Sequence, residues 1–102
     1  MLKELAQDDY KEAIAATQAG VLIVFKELCP HCKNMEKVME KFAALQPGVA
    51  LLGLDIQKNP DAAAALEAER APTLFVIKNG AVARKKTGLM NPKELLALYK
   101  GC

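Results

Sequence analysis

The sequence predicts an α/β chain built around a central, mixed four-stranded sheet with helices on both faces, leaving room for a short extra strand near Leu2 to Leu5. Three observations carry that prediction. Two unbroken apolar runs, Val21 to Phe25 and Val49 to Leu52, have the β-branched, aromatic and aliphatic character of strands covered on both sides. Between them Cys32, Met35, Val38, Met39, Phe42 and Leu45 recur at steps of three and four, the period of one helical face. Further on, Asn79-Gly80 stands between two strand-like segments, and both residues tolerate the positive φ that a tight hairpin demands.

The elements follow in order. Asp9 with Glu12 has the form of an N-cap and its reciprocal partner, opening a helix through Tyr10, Ala13, Ile14 and Thr17 that Gly20 ends. Val21 to Phe25 is then a central strand. Pro30 suits the first turn of the long helix, where its missing N–H is not needed, and Pro47-Gly48 stops that helix. Val49 to Asp55 is the second strand, weakened at its far end by Gly53. Asn59-Pro60 caps a third helix, alanine-rich from Ala62 to Ala65 and thin in apolar face with Leu66 and Ala68, which ends before Pro72. Thr73 to Lys78 and Ala81 to Lys86 pair as the antiparallel hairpin. Asn91-Pro92-Lys93-Glu94 combines an N-cap, a first-turn proline and a third-position glutamate ahead of Leu95, Leu96, Leu98 and Tyr99. The result is a β-α-β unit, parallel through a right-handed crossover, joined to a β-β-α unit. No repeat, linker or second domain interrupts it, so residues 1–102 read as one domain.

The 102 residues are 52% hydrophobic, 25% charged and 5% aromatic, a balance that excludes a disordered or collagen-like chain. A chain this long buries roughly two-thirds of its extended surface, enough for one core without staples and too little for two. Fourteen basic against twelve acidic residues leave a net charge of +2, which argues against nucleic acid as a partner. No apolar run approaches the roughly 18 residues needed to cross a bilayer. The opening Met1-Leu2-Lys3-Glu4-Leu5-Ala6-Gln7-Asp8-Asp9 lacks the apolar block of a secretory signal, so a cytoplasmic location is expected.

Cys29, Cys32 and Cys102 are too few for a disulfide framework, and the close pair carries the chemistry. A thiol is a useful nucleophile only as thiolate, and Cys29 stands at the start of the helix opened by Pro30, where free N–H groups and the helix dipole favour negative charge. Cys32, one turn on and expected to be more buried, can attack a mixed disulfide formed at Cys29. Cys29 therefore reads as the nucleophile and Cys32 as the resolving thiol. The same spacing supplies half of many zinc sites, but a structural zinc needs four ligands. There is no second C-x-x-C and no H-x-x-x-H, and His31 cannot easily complete a tetrahedron with its two neighbours, so no metal is assigned. A non-catalytic binding module, or a metal or cluster held between two chains, remains the competing reading.

Taken together, the strand Val21 to Phe25, Cys29-Pro30-His31-Cys32-Lys33, Asp55, Asn59-Pro60, the run Ala71-Pro72-Thr73-Leu74-Phe75-Val76-Ile77-Lys78-Asn79-Gly80, and Gly88 resemble the thioredoxin family in order and spacing. The resemblance implies a thioredoxin fold and a thiol-disulfide oxidoreductase acting on protein disulfide substrates. It implies no bound cofactor beyond a redox-active disulfide, an electron donor of the thioredoxin reductase type, and a monomer. It also implies that Pro72 is cis and faces the cysteines, with Ala71, Pro72 and Thr73 binding an extended substrate segment through the backbone.

The chain departs from the usual family pattern Trp-Cys-Gly-Pro-Cys, having Leu28-Cys29-Pro30-His31-Cys32 and no tryptophan. By resemblance, the Pro30-His31 pair is that of strongly oxidising disulfide-forming enzymes. His31 is expected to stabilise the Cys29 thiolate by hydrogen bond or charge and so to shift the pair toward an oxidant. A reductant is the first reading, an oxidant or isomerase the second. The family's buried acid and its lysine partner correspond to Val24 and Gly53, so both are lost together, leaving Glu27 or water as proton carrier. Met35 and Met39 read as core, Arg84-Lys85-Lys86 as a charged sheet edge, and Cys102 as a terminal thiol outside the catalytic pair.

Overall fold

The two apolar runs lie side by side at the centre of one five-stranded sheet of order β1-β3-β2-β4-β5. The structure is a computed structural model describing residues 2–68 and 70–101; the reading of Cys102 falls outside them. Its elements are β1 (Lys3–Leu5), α1 (Tyr10–Ala15), β2 (Ala19–Phe25), α2 (Pro30–Leu45), β3 (Ala50–Asp55), α3 (Pro60–Ala65), β4 (Thr73–Lys78), β5 (Ala81–Thr87) and α4 (Pro92–Lys100). The expected β-α-β and β-β-α units are both present. β2 runs parallel to β3, from Gly20 opposite Ala50 to Phe25 opposite Asp55, and antiparallel to β4, from Ala19 opposite Lys78 to Val24 opposite Thr73. The room left near the N-terminus is filled: β1 adds a short edge strand parallel to β3, Lys3 opposite Leu52.

Alternation along β2 divides the core. Val21, Ile23 and Phe25 pack with Met35, Met39 and Phe42 of α2 and Leu95 and Tyr99 of α4. On the opposite face Leu22 and Val24 pack with Tyr10, Ile14, Ala62, Ala63, Phe75 and Ile77. Burial on both faces is why β2 and β3 read as continuous apolar runs rather than alternating ones. Met35 and Met39 are fully buried, as core residues should be. β5 is exposed throughout, and its Arg84-Lys85-Lys86 run lies on a sheet edge where charge opposes pairing with another chain.

Several local expectations give way to tertiary contacts. α1 ends at Ala15, not before Gly20, and Gly20 lies inside β2. It is needed there for close approach, since a Cβ would sit 2.7 Å from Thr17 Cγ2 and 3.2 Å from the Ala50 oxygen. Asp9 precedes α1 without capping it: its Oδ1 accepts from the Ala6 N–H at 2.8 Å, upstream of the helix. Asn59 also makes no side-chain cap, because its Oδ1 accepts from the Gln7 N–H and its Nδ2 donates to the Asp55 carbonyl. α3 is correspondingly short. At α4 the expected capping box forms, with the Glu94 N–H donating to Asn91 Oδ1 at 2.8 Å and the Asn91 N–H to Glu94 Oε1 at 3.1 Å. The hairpin turn has positive φ at both Asn79 (54°) and Gly80 (77°). It is tied to the α1–β2 connection by N–H bonds of 2.8 Å from Asn79 to the Gln18 carbonyl and from Gly80 to the Thr17 carbonyl.

Candidate active site

The central strand delivers the chain to the cysteines. β2 ends at Phe25, and residues 26–28 bridge to α2, where Cys29 is the N-cap in an extended conformation and Pro30 occupies the first turn. The connection turns sharply at Leu28, whose φ is 58°, with the side chain 90% exposed. That left-handed conformation is costly for a residue bearing a Cβ. It lets the extended Cys29 enter the helix with its sulfur turned back over the first turn, so the Cys32 N–H donates to Cys29 Sγ at 3.4 Å. The Lys33 N–H donates to the Cys29 carbonyl at 3.1 Å, closing the turn. Cys29 retains 9% of its accessible surface and Cys32 only 2%. The expected difference in depth is present.

This asymmetry makes the thiols chemically unequal. The Cys32 thiol and then the Cys32 N–H donate toward Cys29, and with smaller help from the His31 N–H and the Lys26 charge they outweigh burial and hold the Cys29 thiol below its ordinary value. Burial, joined by the need to keep its own proton as donor to Cys29 and by the charges of Cys29 and Glu36, pushes Cys32 up to about 11. At His31 it is the main-chain N–H that lowers the neighbouring thiol. In the reduced protein, iodoacetamide should therefore alkylate Cys29 first at about pH 7, with Cys32 reacting only as the pH approaches its much higher value. Peptide mapping of the labelled protein checks the order, and Cys32 labelled first would overturn it.

The predicted substrate loop lies on the same surface. The Ala71–Pro72 peptide bond is cis. Ala71 and Pro72 line a hollow of about 300 Å³ together with His31, Arg70, Thr87, Gly88 and Leu89, so α2 and the loop before β4 share one groove. Thr73 is not in the lining. It is fully buried, and its hydroxyl donates to the Arg70 carbonyl, while the Gly88 N–H donates to the Pro72 carbonyl at 3.1 Å. A second hollow on the other side of the cysteines is formed by Phe25, Lys26, Glu27, Leu28, Cys32, Lys33 and Glu36.

The positions read as having lost an internal acid and its lysine are apolar in their surroundings. Val24 is fully buried, and a Cβ at Gly53 would lie 3.1 Å from the Phe25 ring and 3.3 Å from Leu2 Cδ1. Glu27 is a solvated surface acid, 3.6 Å from Lys58 with both side chains more than 60% exposed. What sequence reasoning missed is the burial of Asp55, named above only as part of the family resemblance: it is the one buried carboxylate among the described residues, 2% exposed at the end of β3. Its Oδ1 accepts from the Gln57 and Lys58 N–H groups at 2.8 and 3.2 Å, whereas Oδ2 is buried with no hydrogen-bond partner. The available signal was an aspartate two residues ahead of a polar turn, a self-capping pattern. Among the described residues no group of three or more His, Cys, Asp or Glu is placed to hold a metal ion, and no helix is long and apolar enough to cross a membrane.

A dithiol at the head of the helix after a central strand, beside a cis-proline loop on a mixed sheet of this order, defines a thioredoxin-fold dithiol protein. The chain belongs to the thioredoxin family, whose family model, described as Thioredoxin, matches residues 1–100. It is 33% identical over 100 residues to a thioredoxin of Chlamydia muridarum, covering 96% of this chain and 95% of that one. It is 40% identical over 83 residues to a thioredoxin of Staphylococcus aureus, covering 78% and 79%. Among solved structures, desulfothioredoxin from Desulfovibrio vulgaris Hildenborough in its reduced form superposes with a TM-score of 0.87 at 39% identity, over 99% of this chain and 97% of that one.

Proposed function

We propose that the chain is a protein thiol-disulfide oxidoreductase in which Cys29 is the nucleophile and Cys32 the resolving thiol. The observation that carries this reading is the inequality of the two thiols across one helical turn, the outer one acidified by the inner one. The Cys29 thiolate attacks one sulfur of a target disulfide, forming a mixed disulfide and expelling the other sulfur as thiolate. Cys32 then gives its proton to a departing substrate thiolate and attacks Cys29 Sγ. The second target sulfur leaves as a thiolate that takes its proton from water, and a Cys29–Cys32 disulfide remains. The target has then gained two electrons from the pair and two protons, one from Cys32 and one from the solvent that had received the Cys29 proton. A reductase-type donor returns the pair to the dithiol.

Ala71 aligns the target segment through its main chain beside Pro72, in the manner of an added strand, and buried Thr73 holds the loop from behind. Pro30 fixes the start of α2, and His31 tunes the thiolate through its main-chain N–H. The protein works as a single domain and a monomer in the cytoplasm, without a bound cofactor. Catalysed reduction of insulin disulfides by dithiothreitol is the expected activity. With Cys102→Ser to prevent dimers, the pair should equilibrate in a glutathione series within or below about −220 to −320 mV. A potential well above that range would reverse the direction to an oxidant or isomerase, as the Pro30-His31 pair favours; stoichiometric metal without turnover would replace the enzyme by a binding module.

A further inference from the structure

We propose that the groove beside Pro72 selects target disulfides flanked by acidic residues, and that Arg70 sets this preference; the proposal rests on the oxidoreductase reading above. Among the described residues the polar side chains lining that hollow are His31, Arg70 and Thr87, with no carboxylate. Arg70 is exposed and directly precedes the cis peptide bond, with its carbonyl held by the Thr73 hydroxyl, so the residue is anchored at the groove by its backbone while its guanidinium makes no ion pair among the described residues. Arg70 and Thr87 also line an adjoining hollow with Lys85, Glu67 and Ala64. Lys85 Nζ donates to the main-chain carbonyl of Glu67, which holds its ammonium at that wall without using a carboxylate. The second hollow beside the cysteines has a different balance, Lys26 and Lys33 against Glu27 and Glu36.

Among the described residues positive charge is therefore weighted to the Pro72 side, with Arg70 and Lys85 against Glu67. An extended segment lying along Ala71 and Pro72 passes Arg70 within the screening length of about 8–10 Å, whichever side-chain register it adopts. Its acidic residues are attracted there, and basic ones repelled. The charges are solvent-exposed, so the effect falls mainly on the encounter rate and weakens with salt.

The test uses two fluorogenic peptide disulfides, identical except that Asp and Glu flank the cysteine in one and Asn and Gln in the other. For the intact chain at low salt, kcat/KM should be about 5- to 10-fold higher for the acidic peptide, and the ratio should fall toward one at about 0.5 M salt. Arg70→Gln should bring the low-salt ratio to about 2 or less, and Arg70→Glu should invert it. A low-salt ratio near one in the unsubstituted protein overturns the proposal, as does a ratio indifferent to both substitutions. The salt series needs no variant, so a misfolded variant leaves it decisive. Failure to turn over either peptide overturns the oxidoreductase reading itself, whereas equal turnover of both overturns only the selectivity.

Discussion

Cys29→Ser abolishes disulfide reduction, by more than about 10³-fold, because a serine hydroxyl has neither the acidity nor the nucleophilicity of a thiolate. Cys32→Ser fails differently. Its Cys29 still attacks, but nothing resolves the product, so the variant accumulates a covalent adduct with the target that a small thiol releases. Intact mass after incubation with a disulfide peptide separates the two outcomes. The reverse pattern, an adduct on Cys29→Ser and none on Cys32→Ser, would exchange the two roles. Both substitutions nearly preserve volume, and the Cys32 N–H that donates to position 29 is main chain, so the helix start survives either change. The loss would then be chemical and not structural.

Phe42→Ala is expected to destabilise the fold by about 3–5 kcal/mol, the cost of removing a buried aromatic ring. Phe42 is fully buried in the fourth turn of α2 and meets Tyr99 of α4 edge to face, with ring centroids 5.4 Å apart at 65°. Both rings would have to move for the cavity to close. In a chain of about 100 residues, each kcal/mol is worth about 4–8 °C of melting temperature, so the midpoint should fall by about 12 °C or more. Leu45→Ala, on the same helix but 56% exposed, should stay within about 0.5 kcal/mol and serves as the control. Urea unfolding of the reduced proteins checks both. A Phe42 loss below about 1 kcal/mol would mean that α2 and α4 slide together to fill the gap.

How far the molecule was legible in its sequence depended on whether a signal was local. β2 and β3 stood out because strands covered on both faces have no place for polar residues. Asn79-Gly80 and the Asn91 box also declared themselves, since the partners that satisfy them lie within three or four residues. Asp9 and Asn59 carried the same kind of signal and misled, because their side chains are claimed elsewhere: Asn59 by Gln7, 52 positions away and met only once β1 docks beside β3. Gly20 looked like a helix end, but its role is steric, set by Thr17 just before it and by Ala50 on the neighbouring strand. At the site, the unequal depth of Cys29 and Cys32 followed from helix geometry alone. The left-handed turn at Leu28 did not, and neither did the orphan oxygen of Asp55 or the meeting of Arg70 with His31, the last two because they depend on the chain returning from a distance.

Cys29 and Cys32 share one buried cluster with Phe25, Met35 and Met90. Oxidation and unfolding therefore close a single thermodynamic cycle. The dithiol and disulfide forms must differ in folding stability by the amount separating the reduction potential of the native pair from that of the same pair in the unfolded chain, about 1.4 kcal/mol for every 30 mV. Each hydrogen bond that favours the thiolate at the head of α2 strengthens the reduced fold and raises the potential together. A melting curve of the two forms is thus a potentiometer. Any substitution in this cluster that acts unequally on the two forms is read on both scales at once.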